Sequence, residues 1–239
     1  MITERLSHPH NTLSVVNWPS NAAEAQQVQR ELAAQVRIPQ VAIPAPATVA
    51  GLDVSYSADS EHLVAAAVVV EVRSGRIIEE SVTEGIAAFP YIPGLLAFRE
   101  VPILQATLER LRSSPDVLLC DGQGLAHPRR CGVACHVGVL TGLPTIGCAK
   151  TWLIGEHDEP GSQRGDRAPL LDAGELVGYV LRTQDRVKPV YVSPGHRIGF
   201  NNPVRSCCAW PPSSGCPIPS ATPTTSPGKH CKGDRSATR

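Results

Sequence analysis

The sequence predicts an α/β fold built on a mixed sheet, three antiparallel strands followed by parallel ones, flanked by helices. Three observations carry that prediction. Residues 48–85 hold three strand-like segments in a row, the second and third joined by Ser74-Gly75, a hairpin signal. Residues 63–70 (LVAAAVVV) are apolar without a break, as a strand buried on both faces should be. From residue 116 onward, short apolar strand patterns alternate with a helical one, an order that lays parallel strands into a single sheet.

The elements follow in order. Residues 1–19 read as a poorly determined arm. Asn21 and Glu24 have the spacing of a capping box, and residues 22–36 then show apolar positions at Ala25, Val28, Leu32 and Ala33, a helical period. Pro39, Pro44 and Pro46 break the chain into a linker. Strands are expected over 48–56, 63–72 and 76–85. Pro90-Tyr91-Ile92-Pro93 is stiff because two prolines fix two φ angles, and residues 94–111 read as a helix kinked at Pro102. A strand over 116–120, a helix over 130–140 and a strand over 145–148 make up the alternating part. Further strands are expected at 175–183 and 190–192, with a polar loop at 160–169. Residues 201–239 hold seven prolines, four cysteines and a single acid, Asp234, without strand or helix period. The chain therefore divides into an arm (1–19), one folded domain (20–198) and a disordered tail (199–239).

Composition narrows the function. Twenty-two basic and 22 acidic side chains cancel, which excludes a uniformly basic nucleic-acid coat but leaves room for a local basic face. No run reaches the roughly 18 apolar residues that span a bilayer, and the first residues lack a signal-like apolar stretch, so a cytoplasmic protein without a membrane partner is expected. Cys120, Cys131, Cys135 and Cys148 lie in an apolar region without paired spacing and read as reduced, buried thiols.

Carboxylates supply the chemistry. Asp53 stands between Leu52 and Val54 in an apolar strand, where a lone charge is costly unless paired or bound to metal. It could instead cap a turn or pair with an arginine. Asp121 ends the DVLLC strand and opens Asp121-Gly122-Gln123-Gly124, at the strand end where α/β sheets collect ligands. An Asx turn is the alternative. Glu100, on the helix before Pro102, would be an ordinary solvated glutamate in isolation. Beside two strand aspartates it completes an oxygen-rich set suited to Mg²⁺ or Mn²⁺, which neutralise phosphate charge. Residues 122–150 contain Arg129, Arg130 and Lys150, with His127 and His136, and no acid, a one-signed stretch suited to face phosphate. Lys150 ends a buried strand and could equally snorkel to solvent. His127, Cys131 and Cys135 match no zinc spacing.

VAGLDVSY, FPYIPGLLAFRE, DGQGLAHPRR, LPTIGCAK and YVSPGHRI occur in this order. In these motifs, over roughly residues 18–198, the chain resembles endonuclease V. The resemblance implies a ribonuclease-H-like fold that holds Mg²⁺, with Mn²⁺ as a substitute, through Asp53 and Asp121. It implies catalytic roles for Glu100, Lys150 and His127. Pro90, Tyr91, Ile92 and Pro93 match a wedge that enters the duplex, and Gly122 and Gly124 match glycines bordering the pocket for the flipped base. The implied activity is cleavage of the second phosphodiester bond 3′ to deoxyinosine by a monomer acting on double-stranded DNA, with single-stranded DNA left open. A binder that does not cut, or a nuclease acting on inosine in RNA, are the alternatives. The departure is at the end: family members continue past SPGHRI into an amphipathic helix and a PEPTRLAH-like segment. Here Gly199-Phe200-Asn201-Asn202-Pro203 begins something different, as a frameshift would produce.

Overall fold

Side-chain alternation along the central strands decides how the sheet is covered. In β1 (Thr48–Tyr56), Ala50 and Leu52 face one side and Val49 the other; in β4 (Val117–Cys120), Leu118 and Cys120 share the first side, Val117 and Leu119 the second. All of them are buried, so both faces of the sheet centre need cover. The computed structural model describes residues 18–41, 44–57, 61–201 and 207. Its remaining elements are α1 (Ala22–Ala33), β2 (His62–Glu71), β3 (Ile77–Ile86), α2 (Leu96–Glu109), α3 (Val133–Thr141), β5 (Thr145–Ala149), β6 (Arg167–Asp172), β7 (Glu175–Leu181) and β8 (Val190–His196).

The eight strands form one sheet in the order β3-β2-β1-β4-β5-β8-β7-β6. β1, β2 and β3 pair antiparallel, and β1, β4 and β5 pair parallel, as the sequence predicts. The far side returns to antiparallel pairing through β8, β7 and β6. β6 and β7 are joined by Ala173 and Gly174, both at positive φ, a two-residue hairpin that enforces this direction. β6 begins inside the stretch expected to be a polar loop. Only Ala168 and Leu170 turn inward, and Pro169 sits on an edge strand, where a missing N–H is harmless.

α2 and α3 cover the face that carries Leu52, Leu118 and Cys120, and α1 packs against α3. α1 starts as expected, with Asn21 Oδ1 accepting the Glu24 N–H at 3.0 Å. α3 begins three residues later than expected, because 127–132 is a turn ending at Gly132, the N-cap. Pro102 lies inside α2 and has no N–H to offer the Phe98 carbonyl one turn back. Trp18 Nε1 donates to that carbonyl at 3.0 Å, so a side chain outside the helix replaces the missing bond.

On the opposite face, Val49, Val117, Leu119, Ile146, Cys148 and Val192 form a second buried cluster that includes Ile198 and Cys207. Cys207 is 2% exposed. The disordered tail expected over 199–239 is therefore corrected at this position: the small thiol of Cys207 joins the cluster on the second face. The arm before Trp18 and the other tail residues beyond Asn201 lie outside the described residues.

α3 approaches β5 and β8 at a glycine. A Cβ on Gly138 would lie 2.4 Å from His196 Cβ and 2.4 Å from Thr145 Oγ1. Gly138→Ala should therefore destabilise the fold by about 1–3 kcal/mol through overpacking, measured as a lower midpoint in thermal unfolding. An unchanged midpoint would mean that this contact is not tight.

Candidate active site

The parallel register brings the two strand aspartates together. Leu52 of β1 lies opposite Cys120 of β4, so Asp53 and Asp121 each follow the last residue pair between these neighbouring strands. The Asp121 N–H bonds the Leu52 carbonyl at 3.0 Å, which sets the two carboxyl groups near enough for Asp53 to act on Asp121. Glu100 projects from the first turns of α2 and is 6% exposed. Its Oε1 accepts from the Tyr56 hydroxyl, and Arg99 lies over the Tyr56 ring at 5.2 Å.

Electrostatics record this crowding. Burial, reinforced by the charges of Asp121 and Asp53, pushes the Glu100 carboxyl up to about 8. Burial and the neighbouring Asp53 raise Asp121 to about 6, against the opposing pull of Lys150, whose Nζ stands 2.5 Å from Asp121 Oδ2. Lys150 is itself largely exposed, so this pair is solvated on one side.

These groups open into a cavity of about 340 Å³. Asp53, Glu100, Asp121, Gly122, His127, Lys150, Tyr91 and Pro93 all line it, which unites most of the residues that the sequence singled out. Tyr91 is 66% exposed at its rim, while Ile92 packs against the buried Phe89–Leu95–Phe98 cluster and anchors the segment. Gly122 adopts φ +145, a conformation open to glycine.

Other expectations are corrected. A Cβ on Gly124 would meet the Pro194 carbonyl oxygen at 2.2 Å, and the Gly124 N–H is bound to Ser193 Oγ at 2.8 Å. That glycine fits the chain against β8, and its amide is not available to read a base. Arg130 pairs with Asp172 at 2.7 Å and Glu175 at 2.9 Å on the β6–β7 hairpin, away from the cavity wall. Arg129 reaches Gly94 O and Gln29. His136 is buried among Phe98 and Trp18, and desolvation lowers it to about 4, which makes it a neutral core ring. The stretch without acids is thus largely the buried α3 and β5, with Lys150 at its end the exposed cation in the cavity. His127 is also buried, lowered to about 4 by desolvation, and bonded through Nε2 to Gly94 O.

Sequence reasoning missed several residues of the wall, among them Gln29, Tyr56, Gln123 and Leu153. Tyr56 was within reach: strand alternation puts it with Leu52 and Val54 on the side that α2 covers. Gln123 donates to the Thr151 carbonyl at 2.9 Å, and its buried Oε1 has no partner. Loop placement alone reveals neither Gln123 nor Leu153.

Asp53 and Asp121 offer two neighbouring carboxylates to a cation. Among the described residues no three His, Cys, Asp or Glu side chains form a ready cage. The adjacent carboxylates of Asp53 and Asp121 are what Mg²⁺ uses when water and phosphate oxygens complete its shell.

Comparison with known proteins bears on this geometry. The profile of the endonuclease V family matches residues 30–223. The chain belongs to the endonuclease V family. The endonuclease V of Nocardia farcinica is 55% identical over 188 residues, covering 78% of this chain and 82% of that one. The crystal structure of the Streptomyces avermitilis endonuclease V superposes with a TM-score of 0.79 at 44% identity, over 84% of this chain and 89% of that one. A Ciona intestinalis endonuclease V, crystallised with a 24mer DNA containing an inosine followed by a ribo-adenosine, superposes at 0.68 with 26% identity, covering 78% and 88%. The match to the endonuclease V profile runs past Ile198, where the motif-level resemblance ended. No helix among the described residues is long and apolar enough to cross a membrane.

The raised carboxyls have a measurable consequence. In the folded state Glu100 and Asp121 keep protons that the unfolded chain has released, so stability falls as pH rises from about 5 towards 8. Thermal midpoints in EDTA should decline over that interval. Mg²⁺ or Mn²⁺ should restore them, more at pH 8 than at pH 6, because protons and cation compete for the same oxygens. A flat profile in EDTA would contradict the crowding.

Proposed function

We propose that this chain is a divalent-metal-dependent endonuclease that nicks DNA at the second phosphodiester bond 3′ to a deaminated base such as deoxyinosine. The observation that carries the reading is the pairing of Asp53 with Asp121 at the mouth of one cavity, with Glu100 above and Tyr91 exposed at its rim. Family membership and the inosine-containing DNA held by the Ciona relative support it.

Each residue has a physical task in this reading. Asp53 and Asp121 would hold Mg²⁺, or Mn²⁺ in its place; the cation would offset phosphate charge and activate water. Glu100, raised by burial, is tuned to exchange a proton near neutral pH. Lys150 keeps a positive charge beside Asp121, where a phosphate would approach. Tyr91, flanked by prolines, presents a ring that can replace a base in the stack. Extruding hypoxanthine is easier than extruding a well-paired base, so flipping itself favours damage. The cavity bordered by Gly122 receives the base.

A second reading has a specific observation behind it. The nucleotide after inosine in the Ciona complex is a ribonucleotide, which makes inosine in RNA an alternative substrate. Matched inosine-containing DNA and RNA duplexes, incubated with Mg²⁺ and with EDTA, separate the two. Cleavage of neither in Mg²⁺, with binding intact, would leave a lesion-binding protein instead.

Asp121→Ala should reduce nicking by about 100-fold or more, on the scale of removing one key electrostatic group from an active site, with lesion binding retained. Cutting at the parental rate would refute the mechanism. Tyr91→Ala should lower cleavage of an inosine duplex about tenfold, the equivalent of losing roughly 1–3 kcal/mol of stacking, while single-stranded substrate is cut nearly as before. Equal losses on both would make Tyr91 a packing residue.

A further inference from the structure

Gln29 lies in the buried stripe of α1 with Ala25 and Leu32 and is 1% exposed. Its Nε2 donates to the Gly94 carbonyl at 3.1 Å and to the Cys131 carbonyl at 2.6 Å, and its Oε1 accepts from Arg129 Nε. The same Gly94 oxygen accepts from Arg129 Nη2 at 2.8 Å and from His127 Nε2 at 3.0 Å. That imidazole must carry its proton on Nε2, because Nδ1 accepts the Arg129 N–H at 3.2 Å. Three side chains from segments about a hundred residues apart thus converge on one carbonyl.

The position of that carbonyl gives the arrangement its meaning. Gly94, at φ +77, closes the segment that displays Tyr91 and leads into α2, which carries Glu100. The segment belongs to neither helix nor strand. Its entry is held by Arg99 Nη1 on the Phe89 carbonyl at 2.8 Å, and its exit by the cluster on Gly94.

We propose that Gln29 is a positioning residue for lesion selection: from α1 it locks the Gly94 carbonyl to the 127–131 turn, and so holds Tyr91 in the orientation that enters a duplex. The proposal rests on the wedge role assigned to Tyr91. Gln29 acts through the backbone, since both amide hydrogens and the oxygen are engaged within the protein.

The test compares parent, Gln29→Leu and Gln29→Met, the last keeping the length of the side chain should leucine prevent folding. Amide hydrogen exchange at Tyr91, Ile92 and Gly94 is measured by mass spectrometry, along with Mg²⁺-dependent nicking of inosine in duplex and single-stranded DNA. Exchange in this segment should rise at least tenfold. Duplex kcat/KM should fall about tenfold and single-strand cleavage by less than twofold. In a Tyr91→Ala background, Gln29→Leu should remove no further duplex preference, as two residues acting through one element require. Equal losses on both substrates, or unaltered exchange at 91–94, would overturn the proposal. If the parent nicks neither substrate, the nuclease reading fails by itself, and the exchange data still decide whether Gln29 holds the segment.

Discussion

Three carboxyl groups held where water cannot fully screen them set the terms for the rest of the molecule. Asp53 and Asp121 meet because β1 and β4 run parallel with Leu52 opposite Cys120, so each aspartate follows the last residue pair, and Glu100 joins them from α2. The mutual repulsion and lost hydration of such groups work against folding. The sheet around them supplies the compensating burial, with β1 and β4 apolar on both faces and β5 adding Ile146 and Cys148 to the second. Lys150 and Tyr56 relieve part of the strain at the site itself.

The helix that carries Glu100 shows how a local defect is absorbed. Pro102 removes a hydrogen bond from the middle of α2, and Trp18 restores a partner to the Phe98 carbonyl. The Trp18 ring packs edge-on against Phe98 and over His136, tying the helix to α3. Glu100 therefore sits on a rigid support, while Tyr91, a few residues earlier, is displayed to solvent on a segment fixed mainly at its two ends. Rigid placement of the carboxylates and presentation of an exposed ring are separate tasks met by adjacent stretches of chain.

Charge pattern proved a weaker guide than hydrophobic pattern. A stretch without acids reads as a surface for phosphate, yet residues 131–138 are buried, and acids are missing there for the same reason that they are missing from any core. Arg130 finds its partners on β6 and β7, some forty residues away, and Gly124 is required by the backbone of β8. Neither contact has a local signature. The same holds for Gln29, whose partners lie about 65 and 100 residues further along the chain.

By itself the sequence determined the strands and helices that have a clear period, the parallel and antiparallel halves of the sheet centre, and the candidates Asp53, Glu100, Asp121, Lys150 and Tyr91. These are written in local periodicity and in polar residues set against apolar neighbours, which are properties of short windows. Tertiary structure alone decided that β6 forms at an edge despite Pro169, and that Cys207 joins the second core face. It alone decided that His127 and Arg129 grip a backbone carbonyl while Arg130 turns to the far hairpin. The reason is that a hydrogen bond or ion pair depends on which groups meet in space, and a side chain's own neighbours in sequence carry no record of a partner a hundred residues away.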